Sequence, residues 1–178
     1  MMNGISEKLW GIIETIVRGI FGVIFKLIKM EPTEEQWDAL LQFVKFGLVG
    51  VWNTVFSYTI NVLCLLLFKK TGVLQTADLD MYVSNTIAFI ISVLVSFLLN
   101  SRFVFTLEEG QSRNFWKALM KSYLSYGFTG IILNNLLAYL WVNVLGISKF
   151  IAPLISLIIA IPINFIMNKL WAFKTENK

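Results

Sequence analysis

Histidine is absent from the chain and cysteine occurs once, at Cys64. The first absence removes the commonest physiological acid–base and metal-ligating side chain. The second rules out an internal disulfide and any thiolate cluster. Charge is thin as well: 15% of the 178 residues are charged and 57% are hydrophobic, with a mean hydropathy of +0.71, where a soluble domain carries roughly 45–50% apolar residues. No Asp or Glu interrupts the four longest apolar stretches, so the intramembrane carboxylate on which proton-coupled pumps and small drug exporters depend is missing. An enzyme would have to draw its acid and base from loops holding only Asp78, Asp80, Glu108 and Glu109, and no catalysis is expected. There is no Gly-rich phosphate loop. Neither a cofactor nor a metal is expected, and no nucleic-acid partner.

What is present is hydrocarbon. Uncharged windows run from Phe46 to Phe68, Met81 to Ser101, Ser122 to Ser148 and Phe150 to Asn168, each near or above the roughly 20 residues that a helix needs to cross a bilayer. They are continuously apolar with no period of two, which excludes a β-barrel. The reading is an all-α integral membrane protein with spans at about residues 43–68, 81–102, 121–146 and 150–171. Twelve of the fifteen Lys and Arg fall before the first span, between the second and third, or after the fourth. The positive-inside rule therefore places both termini in the cytoplasm of a cytoplasmic (inner) membrane protein.

Residues 1–30 differ in kind. Leu9, Ile12, Ile13, Ile16, Val17, Ile20, Ile24, Leu27 and Ile28 recur at helical spacing opposite Lys8, Thr15, Arg18, Lys26 and Lys29, the pattern of an amphipathic helix lying in the interface. A fifth span is disfavoured because Glu14 and Arg18 would sit near its middle. Glu31-Pro32-Thr33 breaks the chain, and Thr33 with Gln36 forms a capping box for the helix that leads into span one. The four-span domain occupies residues 31–178.

Neutral polar residues line the spans. Asn53, Ser57 and Asn61 share a face of span one; Asn85, Ser92, Ser96 and Asn100 form a stripe in span two; span three carries Ser122, Ser125 and Thr129 with Asn134 deeper; span four offers Ser156, Asn164 and Asn168 around Pro162. Such faces either bind helices together or line a path for hydroxyls. Gly47-x-x-Gly50 and Gly127-x-x-Gly130 suggest places where two helices approach.

Spans two and four close on one motif. Phe97-Leu-Leu-Asn100-Ser-Arg102-Phe103-Val-Phe105 and Phe165-Ile-Met-Asn168-Lys169-Leu-Trp171-Ala-Phe173 each place an Asn three residues after a Phe, then a cation and two aromatics. Repetition at the exit implies duplication of a two-helix unit, and an even number of spans per unit makes the halves parallel. Arg102, Lys169, Lys45 and Lys121 at the cytoplasmic ends are candidates to gather a phosphate, and Asn100 and Asn168 to bond it or the first hydroxyls. The aromatics Phe103, Phe105, Trp171 and Phe173 are expected to form an interfacial belt.

With Phe43-Val-Lys45-Phe-Gly47-Leu-Val-Gly50 opening the first span, these exits resemble the GtrA-like family over about residues 40–175. The resemblance implies a flippase for a polyprenyl-phosphate-linked sugar, of the bactoprenol-linked glucose translocase type. Its substrate would be a lipid such as undecaprenyl phosphate carrying one hexose, moved for a glycosyltransferase acting outside during cell-surface polysaccharide or teichoic acid glycosylation. The candidate binding residues are Asn100, Arg102, Asn168, Lys169, Lys45, Lys121, Asn53, Asn164 and Asn134. A homodimer is compatible with so small a unit. The rival reading is a non-transporting anchor that recruits a glycosyltransferase through the amphipathic helix and the basic loop from Arg113 to Lys121.

Overall fold

The computed structural model describes residues 4–74 and 79–177; Asp78 lies outside them, as does the side chain of Leu9. The chain divides into two units, Met1–Lys45 and Phe46–Lys178.

In the first unit α1 spans Gly4–Leu27. It ends where Lys29 takes a left-handed φ of 57° and the Met30 N–H bonds back to Phe25 O at 2.9 Å. The capping box forms as read: Thr33 N–H donates to Gln36 Oε1 at 3.0 Å and Gln36 N–H to Thr33 Oγ1 at 3.3 Å. It starts α2, Glu34–Thr71. Arg18 reaches Glu14 at 2.9 Å and Glu34 at 3.0 Å and lies 5.1 Å from the Trp37 ring. Ile12, Ile16, Ile20, Ile24 and Leu27 remain exposed along α1, while Val17 is buried.

Four helices among the described residues are long and apolar enough to cross a membrane: Glu34–Thr71, Leu79–Phe103, Phe115–Val144 and Leu154–Ala172. The second is α3, Leu79–Phe103. The third starts at α4, Phe115–Gly127, where Asn114 Oδ1 caps the Lys117 N–H at 3.0 Å. It widens to π-helical geometry over Phe128–Leu133, returns to α in α5, Asn134–Tyr139, and widens again over Leu140–Val144. The fourth is α6, Ala152–Met167, which runs through Pro162 and ends in a π-helical turn, Asn168–Ala172. Such wide turns occur mostly as single insertions and gather at functional sites. A two-residue antiparallel bridge joins Gln111–Ser112 to Glu176–Asn177.

The core follows the polar stripes. Ser84, Ala88, Ser92, Ser96 and Asn100 make one buried line along α3; Ser122, Ser125 and Thr129 are buried on the third span, and Ser156, Ala160 and Asn168 on the fourth. Small side chains let membrane helices approach where lipid offers no hydrophobic drive to associate. Asn85, expected in this line, sits one position off it and is exposed, since each residue turns the helix by about 100°.

The two exits pack reciprocally. Phe97 of the first stacks on Phe173 of the second (5.3 Å, 25°), and Phe165 of the second stacks on Phe105 of the first (5.9 Å, 27°). Phe105 and Phe173, equivalent positions of the two exits, stack at 4.6 Å and 26°. Backbone geometry repeats too: the Asn100 carbonyl accepts from Phe105 N–H, and the Asn168 carbonyl from Phe173 N–H, both at 2.8 Å. This equivalence bears out two parallel two-helix repeats. It also corrects half of the expected aromatic belt: Phe105 and Phe173 are 6% and 3% exposed and stack inside the bundle, while Trp171 remains 40% exposed.

The glycine pairs are likewise corrected. A Cβ added at Gly47, Gly50, Gly127 or Gly130 would meet nothing within 4 Å, so none marks a close helix approach among the described residues. Gly47→Ala is therefore expected to raise stability by about 0.5–1 kcal/mol, the usual gain for Ala over Gly inside a helix, measurable as a rise in the thermal midpoint. A fall would place an unseen neighbour at that face.

Candidate functional site

A groove of about 440 Å³ opens between the first three spans. Asn53, Ser57 and Asn61 line it from α2, Asn85 and Ser92 from α3, and Tyr126 from α4. The spacing of four in α2 brings its three polar residues onto the groove wall, as the sequence predicts. Asn61 Nδ2 donates to Asn85 Oδ1 at 2.7 Å across the groove. Asn53 Oδ1 is buried with no partner among the described residues. Its rim carries the exposed Thr54 and Tyr58, so it opens sideways.

Tyr126 couples this groove to the first exit. Its hydroxyl lies 3.0 Å from Ser96 Oγ and accepts from Asn100 Nδ2 at 3.3 Å, while the same amide donates to Ser96 Oγ at 3.2 Å. In the second exit Asn168 Nδ2 donates to Asn164 O and Oδ1 at 2.8 and 3.0 Å. Both Asn side chains are wholly buried, and each Oδ1 has no partner among the described residues. An unsatisfied buried acceptor costs about 1–3 kcal/mol, and each oxygen can accept an O–H donor. The chemistry on offer is neutral: carboxamides and hydroxyls that can replace hydrogen bonds to water.

The cations gather elsewhere. A cavity of about 280 Å³ at the start of α4 is lined by Arg113, Asn114, Lys117, Ala118, Lys121 and Lys174, together with Ala172. Arg113 ties the two exits: its guanidinium donates to Phe105 O at 3.1 Å, Phe173 O at 3.4 Å and Ser101 Oγ at 2.7 Å, and lies 4.8 Å from the Phe173 ring. Burial lowers its pKa from the ordinary value. Lys121 Nζ donates to Trp171 O at 3.1 Å.

The nine candidate residues are thus distributed. Asn53 faces the groove and Asn100 lies beyond it through Tyr126; Asn164 and Asn168 bond each other; Lys121 lines the basic cavity. Arg102 lies over Phe103 at 5.6 Å and Lys169 over Phe165 at 5.6 Å, each against its own exit. Asn134 is half-buried, and its Oδ1 has no partner among the described residues. Lys45 belongs to the first unit, 4.9 Å from the Trp10 ring. Tyr126, Arg113, Lys117 and Lys174 are not among the nine. A signal for two of the residues around the cavity existed: Lys117 and Lys121 stand at i and i+4 of α4 and so share one face, whereas Arg113 precedes the helix.

Four crossing helices in two duplicated pairs, with polar groups turned inward and hydrocarbon outward, define a multi-pass integral membrane protein. Over residues 45–173 the sequence matches the family model of the GtrA/DPMS transmembrane domain, and the chain belongs to that family. No curated protein and no solved structure matches the chain. The matched segment contains the polar groove, both exits and all of the basic cavity except Lys174.

Proposed function

We propose that the protein flips a polyprenyl-phosphate-linked monosaccharide across the cytoplasmic membrane, with both termini cytoplasmic, to feed a glycosyltransferase that decorates a cell-surface polysaccharide or teichoic acid. The observation that carries this reading is the neutral polar groove joined through Tyr126 to Asn100. A sugar entering hydrocarbon loses several hydrogen bonds to water, each costing about 2–7 kcal/mol if unreplaced. Asn53, Ser57, Asn61 and Asn85 supply replacements along α2 and α3 without burying a charge. With no carboxylate in the four uncharged windows of the spans to couple a proton, transport runs downhill, drawn by consumption of the sugar outside. The protein carries out no covalent chemistry in this scheme.

The exposed apolar line on α1 favours a second reading, in which the chain anchors a glycosyltransferase and moves nothing. One assay separates them. A short-chain polyprenyl-phosphate hexose is followed from one leaflet to the other in liposomes holding the purified full chain. Wild type is expected to accelerate crossing, and Tyr126→Phe to slow it by about tenfold, the equivalent of one hydrogen bond at the barrier. Asn61→Leu, which puts an apolar side chain on the groove wall, is expected to slow it further. Well-folded wild type that gives no acceleration over protein-free liposomes would leave the anchor as the working model.

A further inference from the structure

We propose that the basic cavity and the apolar groove beside it form a single bipartite site for a lipid phosphate, with the phosphate at the start of α4 and the hydrocarbon tail between α4 and α6. The site deepens the proposed function and rests on that reading for the class of its occupant.

The polar half is the 280 Å³ cavity, whose described lining carries Arg113, Lys117, Lys121 and Lys174 and no carboxylate. It sits at the first turn of a helical run, Phe115–Val144, so backbone N–H groups and the positive end of the helix add to the four side-chain charges. Arg113 is committed to the Phe105 and Phe173 carbonyls and holds its charge in the wall. The lysines bring rotatable ammonium donors, three hydrogens each, and Lys121 gives one of its three to Trp171 O.

The apolar half is a groove of about 560 Å³ lined by Leu124, Phe128, Ile131, Ile132, Met167 and Trp171, with Tyr123 and Gly127 completing it. The halves meet at one residue pair. Lys121 lines the cavity, Trp171 lines the groove, and the ammonium lies 5.4 Å from the indole ring. From Lys121 to Ile131 the groove follows about 15 Å of helix at 1.5 Å per residue. Concentrated positive charge opening onto hydrocarbon suits an amphiphile with an anionic head. A free phosphate would leave the groove uncovered, and a neutral lipid would leave the cations unmatched.

The site exists in only one repeat. At the offset that aligns Gly47 with Gly127, the positions of Lys117 and Lys121 hold Trp37 and Leu41. Duplication supplied two equivalent exits, and the third span alone acquired the basic line.

The test is binding of farnesyl phosphate to the purified full chain in detergent by titration calorimetry, with farnesol and inorganic phosphate as comparators. Farnesyl phosphate is expected to bind at least about thirtyfold more tightly than either, since each lacks one half of the interaction. Combining Lys117→Gln, Lys121→Gln and Lys174→Gln is expected to weaken it by about a hundredfold or more. Gly127→Phe, which fills the groove from a position with open space, is expected to weaken it about tenfold. Lys174→Gln alone, outside the helices, serves should the triple variant fail to fold, with a loss of about tenfold. Inorganic phosphate competing as well as the lipid would reduce the cavity to a free-anion site. Undiminished affinity in folded lysine variants, or in Gly127→Phe, would overturn the proposal. These readouts do not depend on flipping: specific binding in a protein that moves no lipid across liposomes refutes the flippase and leaves the site standing.

Discussion

Phe173→Ala is expected to cost about 3–5 kcal/mol of stability, at the upper end of large-to-small substitutions. The ring is 3% exposed and stacks on Phe105 at 4.6 Å and Phe97 at 5.3 Å, beneath the Arg113 guanidinium. Lipid does not reward burial as water does, so what is lost is packing and a cavity that the two repeats cannot both collapse to fill. Equilibrium unfolding in mixed micelles of rising SDS content reads this directly. Phe105→Ala should lose a similar amount, and the double variant should fall short of additivity by about 0.5–1.5 kcal/mol, the coupling typical of an aromatic pair. Phe150, 81% exposed, is the comparator; alanine there should change stability by less than about 0.5 kcal/mol. Equal effects at Phe173 and Phe150 would mean that the exits do not pack through their rings.

Arg113→Gln should destabilise by about 3 kcal/mol, because charge-assisted hydrogen bonds are worth about 1.5–3 kcal/mol each and the variant strands buried carbonyls. The guanidinium reaches the Phe105 and Phe173 carbonyls and Ser101 at once and lies over a ring face. A planar fork does this and an ammonium does not, so Arg113→Lys should recover less than half of the loss. Full recovery by lysine would reduce the role to simple charge. Burial lowers the folded-state pKa below the unfolded one, so stability rises with pH only as the guanidinium begins to deprotonate, far into the alkaline range. Between about pH 5 and 8 no Arg113 dependence is expected.

The spans, their pairing and the buried polar lines were legible because a bilayer imposes length and because a spacing of four fixes a helix face. The Asn100 and Asn168 exits were legible because duplication printed them twice. Orientation within the bundle was not. Aromatics near a membrane surface have the same composition whether they face lipid headgroups or one another, and only the reciprocal stacking of Phe97 on Phe173 and Phe165 on Phe105 decides it. Tyr126 was missed because its partners Ser96 and Asn100 lie 30 and 26 residues away, on another helix. Lys174 and Ala172 meet Arg113 across about 60 residues of chain, a closeness that no local pattern encodes. The glycine pairs misled for the opposite reason: a motif that permits close approach does not require it.

The exchange of rings between the exits also bears on how the chain is made. Phe105 leaves the ribosome with its stacking partners Phe165 and Phe173 still unsynthesised, and Phe173 follows 68 residues later (173 − 105). At about 5–20 residues per second the first hairpin waits roughly 3–14 s for them. For that interval it is a pair of inserted helices with an aromatic vacancy at one end, open to whatever chaperone or neighbouring nascent chain reaches it first. Tandem fusion shortens the search once the second hairpin arrives, because the filling rings are tethered at a high effective concentration rather than met by diffusion in the membrane.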